Sequence, residues 1–246
     1  MERDARDPSA GPSPPSAAPG GSVARAAVLV PAALLAAALG LVALYWLSLR
    51  PSAPIDPAPF DLNAEGNIPA LFSAGLWLGA SALALVCMRR SRAEGWPLGG
   101  YWPLMAVLFL YLAIDETVMI HERISTVLSG MYAFSGAFLY AWVIAGLAFL
   151  GLVGLVFLRF LAALRPVNLA LLVLAAGIFV SGAVGVEMMG AAYDSGGEVP
   201  GTFALGLNWR RAIALEEGLE MLGVILLIHV MLRFATDAGS PFRPPA

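Results

Sequence analysis

Six apolar stretches alternate along this chain with short links rich in proline, glycine or arginine. The first, Ala26 to Leu49, carries no charge over twenty-four positions. That exceeds the roughly 7–15 residues of a signal-peptide core, and no A-x-A-like cleavage site follows, so it predicts a retained spanning helix. The second runs Gly66–Met88 between Glu65 and the arginines 89, 90 and 92, with Pro69 acceptable in a first turn. A third begins near Tyr101 and reads YWPLMAVLFLYLAIDETVMIHERI, a fourth lies within Met131–Leu158, a fifth runs from about Asn168 to Tyr193, and a sixth from Arg211 to Phe234. There is no internal repeat of inverted halves. The pattern predicts an all-α polytopic transmembrane bundle of about six helices over residues 23–236. A disordered Pro/Ala-rich tail is expected over 1–22 and a short C-terminal tail over 237–246.

Composition makes the bilayer the solvent: 59% of residues are hydrophobic and 13% charged, with a mean hydropathy of +0.80. The basic residues are fourteen arginines and no lysine, which excludes a polybasic patch for nucleic acid and a Schiff-base lysine. Cys87 is the single cysteine, so an internal disulfide, a thiolate metal site and a CxxC pair are excluded within one chain. No nucleotide cofactor is expected. In a six-span arrangement Arg3, Arg6, Arg25, Arg89, Arg90, Arg92, Arg159, Arg165, Arg233 and Arg243 fall on one side, and Arg50, Arg123, Arg210 and Arg211 on the other. This bias puts both termini in the cytoplasm of a multi-pass inner (plasma) membrane protein. The loop acids Asp56, Asp61, Glu65, Asp194 and Glu198 then face outward.

Helix length decides where the remaining acids lie. After Glu220 only the twelve residues Met221–Leu232 precede Arg233, enough for about 18 Å at 1.5 Å per residue against a hydrocarbon core of ~30 Å. The sixth span must therefore include Glu216, Glu217 and Glu220. A third span starting at Tyr101 must likewise include Asp115 and Glu116, whereas one starting at Gly95 could stop before them; Pro97, Gly99, Gly100 and Pro103 favour the later start, and Glu187 sits near the outer end of the fifth. Three helices thus bring acids to one layer, roughly 7–14 Å below the outer helix ends for Asp115/Glu116 and the glutamate triplet. There a charge costs at least ~2.5–3.5 kcal/mol unless it faces the bundle interior and finds a partner. Glu216 and Glu220 share a helix face, with Glu217 about 100° round. Asp115 and Glu122, at i, i+7, share another face, with His121 well off that line, so one flat site cannot take all four residues of the DE-x4-HE motif.

Seven acids face at most three nearby cations, Arg123, Arg210 and Arg211. Protons, bound cations or both must supply the difference, and two divalent metals would close it. Carboxylates with one or two histidines hold di-iron and di-manganese pairs in helical bundles, although the Glu-x-x-His spacing of those bundles is missing here because Val118 stands three before His121. The expected metal ligands are Asp115, Glu116, His121, Glu122, Glu187, Glu216, Glu217 and Glu220, and the metal iron, manganese or zinc. The structural alternative is an interhelical cluster of protonated glutamates with Arg210 and Arg211.

Other signals read as packing. His229 is expected to be an interfacial histidine. Gly177, Ser181 and Gly185, at i, i+4 spacing, form a small-residue seam for a neighbouring helix. Trp46, Trp77, Trp96, Trp102 and Trp209 read as interface anchors.

The segments FDLNAEGNIPALFSA at Phe60–Ala74, AIDETVMIHERI at Ala113–Ile124, GAVGVE at Gly182–Glu187 and EEGLEMLG at Glu216–Gly223 resemble a family of bacterial inner-membrane proteins of no known activity. The resemblance covers most of the chain after the tail and adds Glu65 to the candidates. The Glu-Glu pair also looks like the EExxxR start of intramembrane CAAX-type proteases, but Met221 occupies the arginine position and the later histidine motifs are missing. Alkaline-ceramidase-like and desaturase-like enzymes need more than two histidines.

These features predict a membrane-embedded di-metal protein with redox or hydrolytic chemistry on a lipid-soluble substrate such as a lipid or quinone. The alternatives are a proton or divalent-cation carrier or channel, and a non-catalytic subunit or assembly factor.

Overall fold

Helix α1 covers Gly20–Ser48, α2 Ile68–Glu94, α3 Tyr101–Val118, α4 Ile120–Met131, α5 Trp142–Ala163, α6 Pro166–Asp194 and α7 Trp209–Thr236 in the computed structural model, which describes residues 20–196, 209–237 and 239–243. All but α4 are long and apolar enough to cross a membrane, which fits a multi-pass membrane protein, and no strand occurs among the described residues. Most of the expected N-terminal tail, with Arg3 and Arg6, lies outside the described residues, as does Glu198; α1 takes in the chain from Gly20.

Local chemistry sets the helix ends. The Asn67 side chain accepts the Ala70 N–H at 3.2 Å, and Pro69 fills the next position, where a missing N–H goes unnoticed. Gly95, at φ +64°, closes α2 in the left-handed conformation that suits a residue without Cβ. The third apolar stretch departs from expectation. It is broken at Met119, which takes φ +55°, so α3 ends at Val118 and α4 sets off in a new direction with no residue buried. Asp115 and Glu116 therefore sit in the last turn of α3, shallower in their own helix than a continuous segment would put them. Inside α6, Ser181–Val186 winds as π-helix, which widens the turn immediately before Glu187.

α7 is the centre of the bundle, packing along α1, α2 and α6, while α2 pairs along α3. Two glycines permit this. A Cβ on Gly223 would lie 2.6 Å from the Phe179 nitrogen, and one on Gly182 would lie 2.7 Å from the Glu216 carbonyl oxygen. The expected seam is thereby corrected: a Cβ on Gly177 or Gly185 meets nothing within 4 Å, and Ser181 is exposed. His229 is structural, its Nδ1 lying 3.0 Å from the Ala27 carbonyl and joining α7 to α1.

At the end of the bundle where α2, α5 and α7 finish, Trp102, Phe160, Phe234 and Phe242 form an aromatic plug. Trp102 and Phe160 meet edge to face at 5.1 Å, Phe160 and Phe242 at 5.3 Å. Trp102 is 0% exposed and Trp77 is buried against Phe179, so neither is an interface anchor; Trp96 is also buried, beneath the Arg90 guanidinium, while Trp46 and Trp209 are exposed. We call this the arginine end, and the opposite one the carboxyl end.

A carboxyl-rimmed chamber as the candidate functional site

A cavity of about 490 Å³ lies between α3, α5, α6 and α7. Packing explains it: α5 closes on α4 but stands off from the other helices, bridged to α3 by the ring pairs Tyr111–Phe149 and Tyr101–Phe157. Its lining includes every residue that the sequence singled out as a ligand, namely Asp115, Glu116, His121, Glu122, Glu187, Glu216, Glu217 and Glu220, together with Glu65 from the α1–α2 link. Below this rim the walls are apolar, formed by Met105, Leu108 and Leu112 of α3, Val153 and Phe157 of α5, Leu172 and Ala176 of α6, and Leu227 of α7.

The break at Met119 reunites the DE-x4-HE residues. Because the chain reverses its hand for one residue there, His121 swings back over the last turn of α3. Its Nδ1 lies 2.9 Å from one Asp115 carboxyl oxygen, and its backbone N–H donates to the other at 3.0 Å. All four motif residues then face the cavity, contrary to the expectation from an unbroken helix.

On the other side, the Trp142 indole N–H donates to Glu187 at 3.0 Å, and its ring lies 5.2 Å from the His121 ring. Trp142 thus ties α5 to both halves of the rim. The π-segment packs against α7 at Glu216, where a Cβ on Gly182 would lie 2.7 Å from the Glu216 carbonyl oxygen, and Glu187 follows it on the same rim. Glu217 and Glu220 share the chamber lining with Glu65, Glu116, Glu187 and Glu216. Trp77 and Glu116 both line the chamber.

Glu65, His121 and Glu122 of the rim lie outside the spanning segments. Loss of water at the chamber mouth raises the Glu65 carboxyl above the usual carboxylate range although the residue remains partly open to solvent; His121 opposes this, and Glu122 and Asp115 add to it. For His121 burial acts downward, but the hydrogen bond to Asp115 and that carboxyl's charge, joined by Glu65 and Glu122, outweigh it and raise the imidazole.

Among the described residues lining the chamber, His121 is the one basic side chain against eight carboxyls. The donor types suit a hard or borderline divalent cation. Their positions do not enclose one, since among the described residues no three His, Cys, Asp or Glu side chains are gathered to hold an ion.

Sequence reasoning missed Trp142 as a site residue, because a tryptophan at a helix start carries no mark distinguishing an anchor from a donor to a buried carboxyl.

Neither the curated proteins nor the solved structures gave a match to this chain. Residues 25–234 match the family described as a domain of unknown function (DUF8692), a stretch that contains every rim residue. With six spans and the whole chamber inside that match, the chain belongs to the DUF8692 family.

Proposed function

We propose that this protein is a membrane-embedded enzyme that takes a lipid-soluble amphiphile into the chamber, polar end toward the carboxyl rim, and works on that end by proton transfer. One observation carries this reading: polarity changes in the same direction on the lining helices. Along α3 the lining runs from Glu116 to Leu112, Leu108 and Met105, along α6 from Glu187 to Val180 and Leu172, and along α7 from Glu220 to Leu227. A wholly polar substrate would leave the lower half unmatched, and a wholly apolar one would leave carboxyls without partners. Entry is between α5 and α6, where Leu150 and Val173 line the chamber yet are 39% and 57% exposed.

The rim selects the head group. Eight carboxyls and one histidine already held by Asp115 disfavour a phosphate and favour an amine or hydroxyl. The Glu187 and Glu216 carboxyls on the rim serve as general acid in one direction and general base in the other. A divalent iron, manganese or zinc ion is the second partner, drawn in by the carboxyl excess and requiring Glu116, Glu217 and Glu220 to converge on binding. By the arginine bias the carboxyl end faces away from the cytoplasm and the membrane is the inner one.

The test is to extract and identify amphiphiles retained by the detergent-purified protein, comparing wild type with Val153→Trp/Ala176→Trp, which fills the apolar half. Retention by wild type and loss in the filled variant, with the fold intact by circular dichroism, is the expected result. Equal retention by both would refute the chamber as the binding site. Metal analysis of the same samples addresses the cation: iron, manganese or zinc near one or two per chain, lowered in Glu217→Gln, supports it, and metal unchanged in that variant rules it out.

A further inference from the structure

The chain after α7 does not leave the bundle. Residues 239–243 fold back over the turn between α5 and α6: the Arg165 N–H donates to the Pro241 carbonyl at 3.0 Å, and the Arg243 N–H donates to that of Ala163 at 2.9 Å. Phe242, 1% exposed, is the pin that seats this strap in the aromatic plug. Between the strap, the first turn of α6 and the last turn of α7 remains a cleft of about 210 Å³, at the opposite end of the bundle from the carboxyl rim.

Two guanidiniums flank it, Arg165 and Arg233, with Asn168 and Ser240 beside them. Arg165 uses its Nε on the Phe242 carbonyl at 3.1 Å, and Asn168 donates to that of Pro241 at 3.0 Å. Arg233 uses its Nε on Asp237 at 3.4 Å, a long contact to a side chain that is 55% exposed. The terminal nitrogens of both guanidiniums make no hydrogen bond among the described residues, so each arginine keeps its forked edge for another acceptor. Asp237 is the one carboxylate in the lining, which leaves the cleft with a net positive charge. The cleft also lies where three candidate spanning helices end, and Val167, 59% exposed, continues its wall on the outer face of α6.

We propose that this cleft binds the phosphate of an anionic phospholipid, with Arg165 and Arg233 on its oxygens and an acyl chain running past Val167. Paired arginines match a phosphate through parallel N–H donors, and a basic pocket between helix ends at the membrane surface is where such a head group is presented. The apolar wall distinguishes a lipid from a free ion. The site is independent of the chamber and of the reaction proposed there.

The experiment uses the full chain in mild detergent, with native mass spectrometry of retained lipid after exposure to equal phosphatidylglycerol and phosphatidylcholine. Wild type is expected to retain the anionic lipid in roughly tenfold preference. Arg165→Gln/Arg233→Gln should reduce this to about equal retention, and Arg165→Lys/Arg233→Lys should recover part of it. If the double glutamine variant does not fold, Arg165→Gln alone, at an exposed position, should still cut the preference severalfold. Equal retention of the two lipids by wild type, a preference unchanged by the glutamine variants, or complete displacement of the lipid by millimolar inorganic phosphate would each overturn the proposal.

Discussion

The His121 imidazole and the Asp115 carboxyl meet at 2.9 Å across the helix break at Met119, and the same carboxyl also receives the His121 backbone N–H at 3.0 Å. This two-point clasp fixes where α4 starts, and with it the position of Glu122 at the chamber mouth. Four expectations follow from the clasp and the packing around it.

The clasp should depend on pH in one direction. A histidine raised above its usual 6.5 favours folding in its protonated form, so its contribution is full below about that pH and is lost as pH rises through the raised value. Glu65, also raised, has the same sign, because folding favours its protonated form. The mouth of the chamber should loosen with rising pH. Imidazole NMR should show His121 titrating above the ordinary range, and Asp115→Asn should bring it down. No change in that variant would refute the assignment.

Met119 holds a left-handed conformation that strains any side chain with a Cβ by about 1–2 kcal/mol. Met119→Gly should leave the melting temperature in detergent unchanged or raise it, whereas Met119→Val should lower it and disorder the Asp115–His121 contact. Identical melting of the two variants would mean that the break is set elsewhere.

Gly182→Ala and Gly223→Ala should each destabilise by about 1–3 kcal/mol, because the new methyl would press on backbone atoms that cannot swing aside. Gly177→Ala and Gly185→Ala should be tolerated, since their space is open. Thermal melting of the four variants separates the real seam from the apparent one.

Trp142→Phe keeps an aromatic ring but removes the donor to Glu187. Destabilisation of about 1 kcal/mol is expected, together with weaker retention of amphiphile in the chamber. Unaltered retention would reduce Trp142 to a packing residue.

Much of this site could be read from the sequence because acids in an apolar stretch are costly, and cost is local information. The twelve residues after Glu220 are too few to cross a membrane, and that alone brought Glu216, Glu217 and Glu220 inside. What could not be read was phase. Counting 100° per residue through Met119 separated His121 from Asp115, when a single left-handed residue joins them. The same arithmetic run through Ser181–Val186 chose Gly177 and Gly185 as the seam, when the wider π-turns turn Gly182 toward α7. Trp77 was misplaced for a different reason: it lies ten residues into α2, well away from either end, and only tertiary packing shows that it belongs to the core.

The rings of Trp102, Phe160, Phe234 and Phe242 have a consequence for traffic through the molecule. They are buried at the arginine end and offer no way out there. Under the proposed reading a guest would leave on the carboxyl side or between α5 and α6, so occupancy would be governed by how readily one guest is exchanged for the next rather than by any gradient across the bilayer.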